Sequence, residues 1–67
     1  MERNKILYPE LRAELARNNL SYEDYGKIIG ISANSVSQRI NGDVDFRIKE
    51  ITKTLEYFSK KFEELFC

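Results

Sequence analysis

Histidine and tryptophan are absent from this sequence, and cysteine and proline occur once each. Without histidine, the commonest general base and the commonest zinc ligand are missing. The single thiol, Cys67, excludes a disulfide framework and an all-cysteine metal site. It reads as an ordinary terminal thiol, with a link between chains as the rival reading. No catalytic residue, metal or cofactor is expected, and no enzyme. No apolar run approaches the ~20 residues of a membrane span. The opening "MERNKILYPE" has no apolar stretch of the kind a signal peptide carries. A soluble, cytoplasmic protein is the expectation. An excess of one charge is also lacking, with eleven basic residues against eleven acidic. A nucleic-acid binder usually carries a basic surplus, so the sum alone points mildly away from one.

What is present is a strong local bias. A third of the 67 residues are charged. Yet "GISANSVSQRING", Gly30 to Gly42, holds no carboxylate and a single arginine, Arg39, among three serines, two asparagines and a glutamine. A neutral total is therefore compatible with one DNA-facing surface and one solvated or acidic face. A chain of this length makes one small domain with a core worth only a few kcal/mol, which tight helix packing or oligomerisation would help.

Spacing of apolar residues predicts helices throughout. Pro9 suits a first helical turn, where a missing N–H costs nothing, and Leu11 and Leu15 follow at helical spacing to about residue 18. In "LSYEDYGKIIG", Ser21 is an N-cap, Glu23 and Asp24 lie in the positive first turn, and Leu20 with Tyr25 forms a hydrophobic staple. This helix stops at Gly30. The same grammar recurs with Ser32 as N-cap, Ile31 and Val36 as staple, and Asn41-Gly42 as the end. Next, "FRIKEITKTLEYF" sets Phe46, Ile48, Ile51, Leu55 and Phe58 at helical spacing. Ser59 is the expected cap of a last helix in "KKFEELF". No segment alternates with period two long enough to make a strand. The expectation is an all-α domain, five short helices around one core, spanning 1–67.

The second and third helices, separated by a glycine-containing turn, predict a helix-turn-helix at about 21–42. Such a pair can lay its second helix in the major groove of DNA. Gly26, four residues before Gly30, marks a place where a bulky side chain would push the two helices apart. Val36 and Ile40 define the inward side of the third helix. Asn34, Ser37, Gln38 and Asn41 fall opposite, with Ala33 at the exposed start. Asn and Gln can donate and accept together, which matches the adenine edge; Ala can meet a thymine methyl; Ser can bond to base or phosphate. Ser32 and Asn41 are equally well explained as cap and turn formers. Arg39, on the flank, has two readings: a phosphate contact, or a partner for an acidic side chain on a neighbouring helix. Lys27 is a further phosphate candidate. The aromatics read as core rather than as a stacking platform, except Tyr22, expected to be exposed at a helix start. The lysines at 53, 60 and 61 read as a solvated face.

The stretch "SYEDYGKIIGISANSVSQRING" resembles the helix-turn-helix of the phage repressor and Cro-like DNA-binding domains. Over about residues 8 to 66 the chain is similar to the small single-domain regulators of Gram-positive bacteria and their phages, with "LRAELARNNLS" like their first helix and "FRIKEI" and "FEELF" like their fourth and fifth. The resemblance implies a lambda repressor-like fold and a sequence-specific transcriptional regulator, more often a repressor. It places Ala33, Asn34 and Gln38 at base-contacting positions, with Ser37 adjacent, and Tyr22, Ser32 and Asn41 at phosphate-contacting ones. The chain departs from the pattern at Tyr22, where glutamine is common, at Gly26, where alanine is usual, and at Arg47, where Ser or Thr often caps the fourth helix. The expected partners are double-stranded DNA and a second copy of the chain, with Phe58, Phe62, Leu65 and Phe66 as the apolar tail through which copies would meet. An alanine at 26 is accordingly expected to be neutral or stabilising. An antitoxin-type DNA binder with a C-terminal partner surface is the near alternative. A helical protein-binding module without DNA affinity is the distant one.

Overall fold

The computed structural model describes residues 7–66, so the readings attached to Cys67 and to the first six residues lie outside it. The described residues form five helices: α1 (Pro9–Arg17), α2 (Tyr22–Ile29), α3 (Ala33–Ile40), α4 (Ile48–Phe58) and α5 (Phe62–Leu65). No strand occurs among them. Leu11 and Leu15 of α1, Tyr25 and Ile29 of α2, Val36 and Ile40 of α3 and Leu65 of α5 are buried. Helix α2 packs on both α3 and α4, while α1 packs on α5. None of these helices is long and apolar enough to cross a membrane.

The caps that start α2 and α3 are those the serines predict. Ser21 Oγ accepts the Asp24 N–H at 3.1 Å, and Asp24 in return accepts the Ser21 N–H at 3.1 Å. That backbone N–H, together with the Ser21 side chain, holds the Asp24 carboxyl below its ordinary range. Ser32 Oγ accepts the Ser35 N–H at 3.1 Å. Leu20 and Ile31, the residues before each cap, pack against the core. Between the helices, Gly30 adopts a left-handed conformation (φ 84°) that side-chain-bearing residues rarely take.

Gly26 lies where the turn folds back. Its carbonyl accepts both the Gly30 N–H, at 2.6 Å, and the Ile31 N–H, at 2.8 Å. The Ile31 carbonyl oxygen then sits over the Gly26 Cα, in the space a Cβ would take. The expectation that alanine is harmless here is therefore corrected: even one methyl overlaps a main-chain atom.

The fourth and fifth helices also depart from expectation. Helix α4 begins at Ile48, so Phe46 precedes it. Ile48 is 78% exposed, whereas Glu50 and Thr54 are buried. Polar residues thus set the inward phase of α4, and Ile51, Leu55 and Phe58 lie half-buried on its flank. Ser59 does not cap α5; it ends α4 in a left-handed conformation (φ 56°), and Lys61 precedes α5 with its N–H bonded to Glu64 at 2.7 Å. Of the tail, Leu65 is buried and Phe58 and Phe66 are half-buried, leaving Phe62 and the nearby Tyr57 exposed. Phe66 and Phe46 meet edge-on at 5.1 Å and Tyr8 meets Phe46 at 5.3 Å, so three aromatics close the end of the core.

Tyr25 shows why Thr54 is buried. Thr54 Oγ1 donates to the Glu50 carbonyl at 2.8 Å, so its one proton is committed. The Tyr25 hydroxyl must then be the donor in its 2.6 Å contact with Thr54 Oγ1. Burial pushes the Tyr25 phenol up to about 12, against the opposing effect of Thr54 and with the added effect of the Glu50 charge. A raised phenol favours the folded state below its ordinary value of 10.0, and that contribution disappears as pH climbs through the folded value of about 12. Thermal melts of Tyr25→Phe at neutral pH should show a loss of about 1 kcal/mol for one hydrogen bond. They should also show a shallower alkaline decline than the parent. An equally steep decline in the variant would place the alkaline-sensitive group elsewhere.

Candidate nucleic-acid interface

Helix α3 turns Val36 and Ile40 inward, both 0% exposed, and this fixes what its other side presents. Asn34 and Asn41 are exposed, and Ala33, Ser37 and Gln38 are half-exposed. The site residues expected on one face are therefore brought together. Among the described residues the Asn34 and Gln38 side-chain amides have no hydrogen-bond partner, so both can donate and accept toward solvent or a ligand. Asn41 Nδ2 reaches Ser37 Oγ at 3.3 Å, a long contact within the helix. Ser32 is fully used as a cap, for its hydroxyl also donates to Ser35 Oγ at 3.1 Å. Lys27, in the last turn of α2, is exposed. Tyr22 is corrected from exposed to half-buried, because its ring packs against the core.

Arg39 resolves between its two readings. It is 7% exposed, and its Nε donates to Glu50 Oε1 at 2.8 Å and its Nη2 to Glu50 Oε2 at 3.3 Å. The remaining nitrogen, Nη1, lies 3.3 Å from the Ser35 carbonyl. A guanidinium so enclosed is not offered to a phosphate, and Arg39 leaves the phosphate-contacting set. Its work is to fasten α3 to α4. Glu50 also accepts the Arg47 N–H at 3.0 Å, and so covers the start of α4 where the Arg47 side chain gives no cap. Sequence spacing did not single out Glu50. The available signal was its place three residues after the cap position, where an acid reaches back to the N–H that precedes the helix.

The surroundings of α3 are of mixed sign. No acid stands in its first turn, which suits an approaching anion at the positive helix end. Beyond its last turn, however, Asp43 and Asp45 are exposed. The Asp43 and Val44 N–H groups both bond the Gln38 carbonyl, at 2.8 and 3.2 Å, so this acidic loop folds back on the helix end. Along α4, Arg47, Lys49 and Lys53 border an open groove of about 470 Å³ that reaches Ile29 and Ile31.

The chain matches no protein-family model, and no curated protein or solved structure matches it.

Proposed function

We propose that this domain is a sequence-specific DNA-binding regulator, with α2 and α3 acting as a helix-turn-helix and α3 entering the major groove. The observation that carries the reading is the outer face of α3. It is free of carboxylates, its Asn34 and Gln38 amides are unengaged, and the helix behind them is held by the Ser32 cap and a buried ion pair. Asn34 and Gln38 are one turn apart, so each can address the edge of a neighbouring base, with Ala33 and Ser37 beside them. Lys27, Asn41 and the rim of Tyr22 supply contacts to the sugar-phosphate backbone, while the Ser32 hydroxyl stays engaged as the cap of α3. One helix of eight residues reads only a few base pairs. Two copies about one helical turn apart would read an inverted repeat, and occupancy of such a site would block or recruit polymerase. The lambda repressor-like fold and a repressor role follow from the resemblance in "SYEDYGKIIGISANSVSQRING".

Losing one two-bonded amide should cost about 1–3 kcal/mol at the preferred site. The same loss should cost little on random DNA, where those bonds are not made. Lys27→Ala should weaken all duplexes alike and flatten the salt dependence by about one unit. The measurement is binding of Asn34→Ala, Gln38→Ala and Lys27→Ala to a selected operator and to random duplex at several salt concentrations. An unchanged operator-to-random ratio in both amide variants would sink the reading. The zero net charge favours a second reading, a helical module that binds protein and ignores DNA. Titration with random DNA at low salt separates the two, because only the DNA reader binds with a salt-dependent affinity.

A further inference from the structure

We infer that residues 43–49, Asp-Val-Asp-Phe-Arg-Ile-Lys, form a self-complementary surface on which two copies of this chain pair. The inference deepens the proposed function, on which it rests only for the use made of the pair on DNA.

The side chain at the centre of this segment is packed against the core, and those of its two arms face solvent. Phe46 is half-buried between Tyr8, at 5.3 Å, and Phe66, at 5.1 Å. On either side stand Val44, 38% exposed, and Ile48, at 78% the most exposed of the large apolar side chains described. Each is flanked by charges of one sign: Asp43 and Asp45 around Val44, Arg47 and Lys49 around Ile48. All four charged residues are exposed, and none of their side chains forms an ion pair among the described residues.

Read through Phe46, the order is acid, apolar, acid, then base, apolar, base. A two-fold axis near Phe46 runs the partner's segment the opposite way. It sets Asp-Val-Asp of each copy against Arg-Ile-Lys of the other, so every attractive contact occurs twice. The basic arm borders the open groove of about 470 Å³ that Ile29, Ile31 and Lys53 also line. Its one acid, Glu50, is neutralised by Arg39 behind it, so the groove keeps a positive balance. An apolar side chain between two carboxylates is the chemistry that such a groove accepts, and the partner's Val44 has it.

Pairing here also removes a conflict. The loop that carries Asp43 and Asp45 bonds back to the Gln38 carbonyl at the end of α3. Two uncovered carboxylates in that place would oppose the phosphates of a duplex facing α3. Covered by the partner's Arg47 and Lys49, they no longer do. The tail is a weaker meeting place, since Leu65, Phe58 and Phe66 already contribute to this copy's own core. A patch of this size sits at the low end for protein interfaces, so the dimer is weak in free solution. On a duplex the second copy is held at high effective concentration.

Sedimentation equilibrium without DNA, at low salt and up to millimolar protein, tests this. The parent should dimerise reversibly. The double variants Asp43→Lys/Asp45→Lys, basic in both arms, and Arg47→Asp/Lys49→Asp, acidic in both, should each associate at least roughly tenfold more weakly. Their equimolar mixture should form a heterodimer, because both contacts are then attractive. Circular dichroism melts establish that each variant is folded. Tyr57→Gln, in the exposed part of α4, should leave association unchanged. A parent that stays monomeric at millimolar concentration, a mixture that does not pair, or loss of association in Tyr57→Gln overturns the inference. So does an Arg47→Asp/Lys49→Asp variant that loses affinity for random DNA while it still self-associates, since its cations then answer phosphates. None of the association readouts involves DNA. Failure here with intact base reading by Asn34 and Gln38 removes the surface alone; the reverse removes the DNA reading alone.

Discussion

Gly26→Ala should lower the melting temperature, although alanine is the better helix former. Replacing glycine inside a helix ordinarily gains up to ~1 kcal/mol. Here the new methyl meets the Ile31 carbonyl oxygen, which cannot swing aside like the end of a side chain. Ile31 is tied to Gly26 itself through its N–H at 2.8 Å, and the next residue, Ser32, caps α3. Relief requires the whole turn to move and α3 to lift from α2. Overpacking of a tight site typically costs about 1–3 kcal/mol, and that outweighs the propensity gain. Each kcal/mol corresponds to roughly 4–8 °C in a domain of this size. Gly26→Leu should cost several times more and leave little folded protein. Both are read from thermal melts followed by circular dichroism. A Gly26→Ala variant that melts at or above the parent would show that the turn yields freely, and the close approach would then have no energetic weight.

The same glycine shows where sequence reading reaches its limit. Its spacing from Gly30 is a local signal, and that signal correctly marks a close approach. The atom that makes the approach belongs to a turn whose path depends on how α3 docks, so tolerance of a single methyl was not legible. The caps at Ser21 and Ser32 were legible in full, because each bond spans three residues and involves no tertiary contact. Val36 and Ile40 were legible because one period decides their side, and Asn34 and Gln38 follow as their opposite. Ile48 was misplaced for the converse reason. Its spacing fits the apolar stripe, but α4 is rotated so that Glu50 and Thr54 point inward. Periodicity of apolar residues is blind to a helix whose buried line is polar. Tyr22 and Ser59 failed on smaller grounds: a ring at a helix start can fold onto the core, and a serine can end one helix rather than begin the next.

Arg39 and Glu50 carry the largest expected loss. Their side chains are eleven residues apart in sequence, and the pair exists only once α4 has packed on α2 with Glu50 beside α3. Both are nearly inaccessible, at 7% and 4% exposure. Removing one member of a buried pair leaves the other charged and unanswered, which costs about 3–5 kcal/mol. A small core supplies stability of only about that size. Glu50→Ala should therefore be largely unfolded, because it strands Arg39 and also uncovers the Arg47 N–H. Arg39→Met strands Glu50 but keeps that cap, so it should be the milder of the two. Joint replacement, Arg39→Met with Glu50→Leu, removes both charges together and should recover most of the loss. Acid gives an independent reading. Burial pushes the Glu50 carboxyl up, but the Arg39 hydrogen bond, the Arg47 N–H and the two positive charges outweigh it and hold the group below its ordinary 4.5. A lowered carboxyl stabilises the fold above its unfolded value, and that contribution is lost as pH falls through the folded one. The parent should thus weaken below about pH 4.5, while the doubly replaced variant lacks this part of the acid transition. Melts from pH 7 to pH 3, about the range in which carboxylates titrate, decide it. If the single variants stay close to the parent in stability, or if the joint variant shows the parent's full acid transition, the pair is not what fastens α3 in place. The outer face of α3 would then be held by the Ser32 cap and by packing on α2.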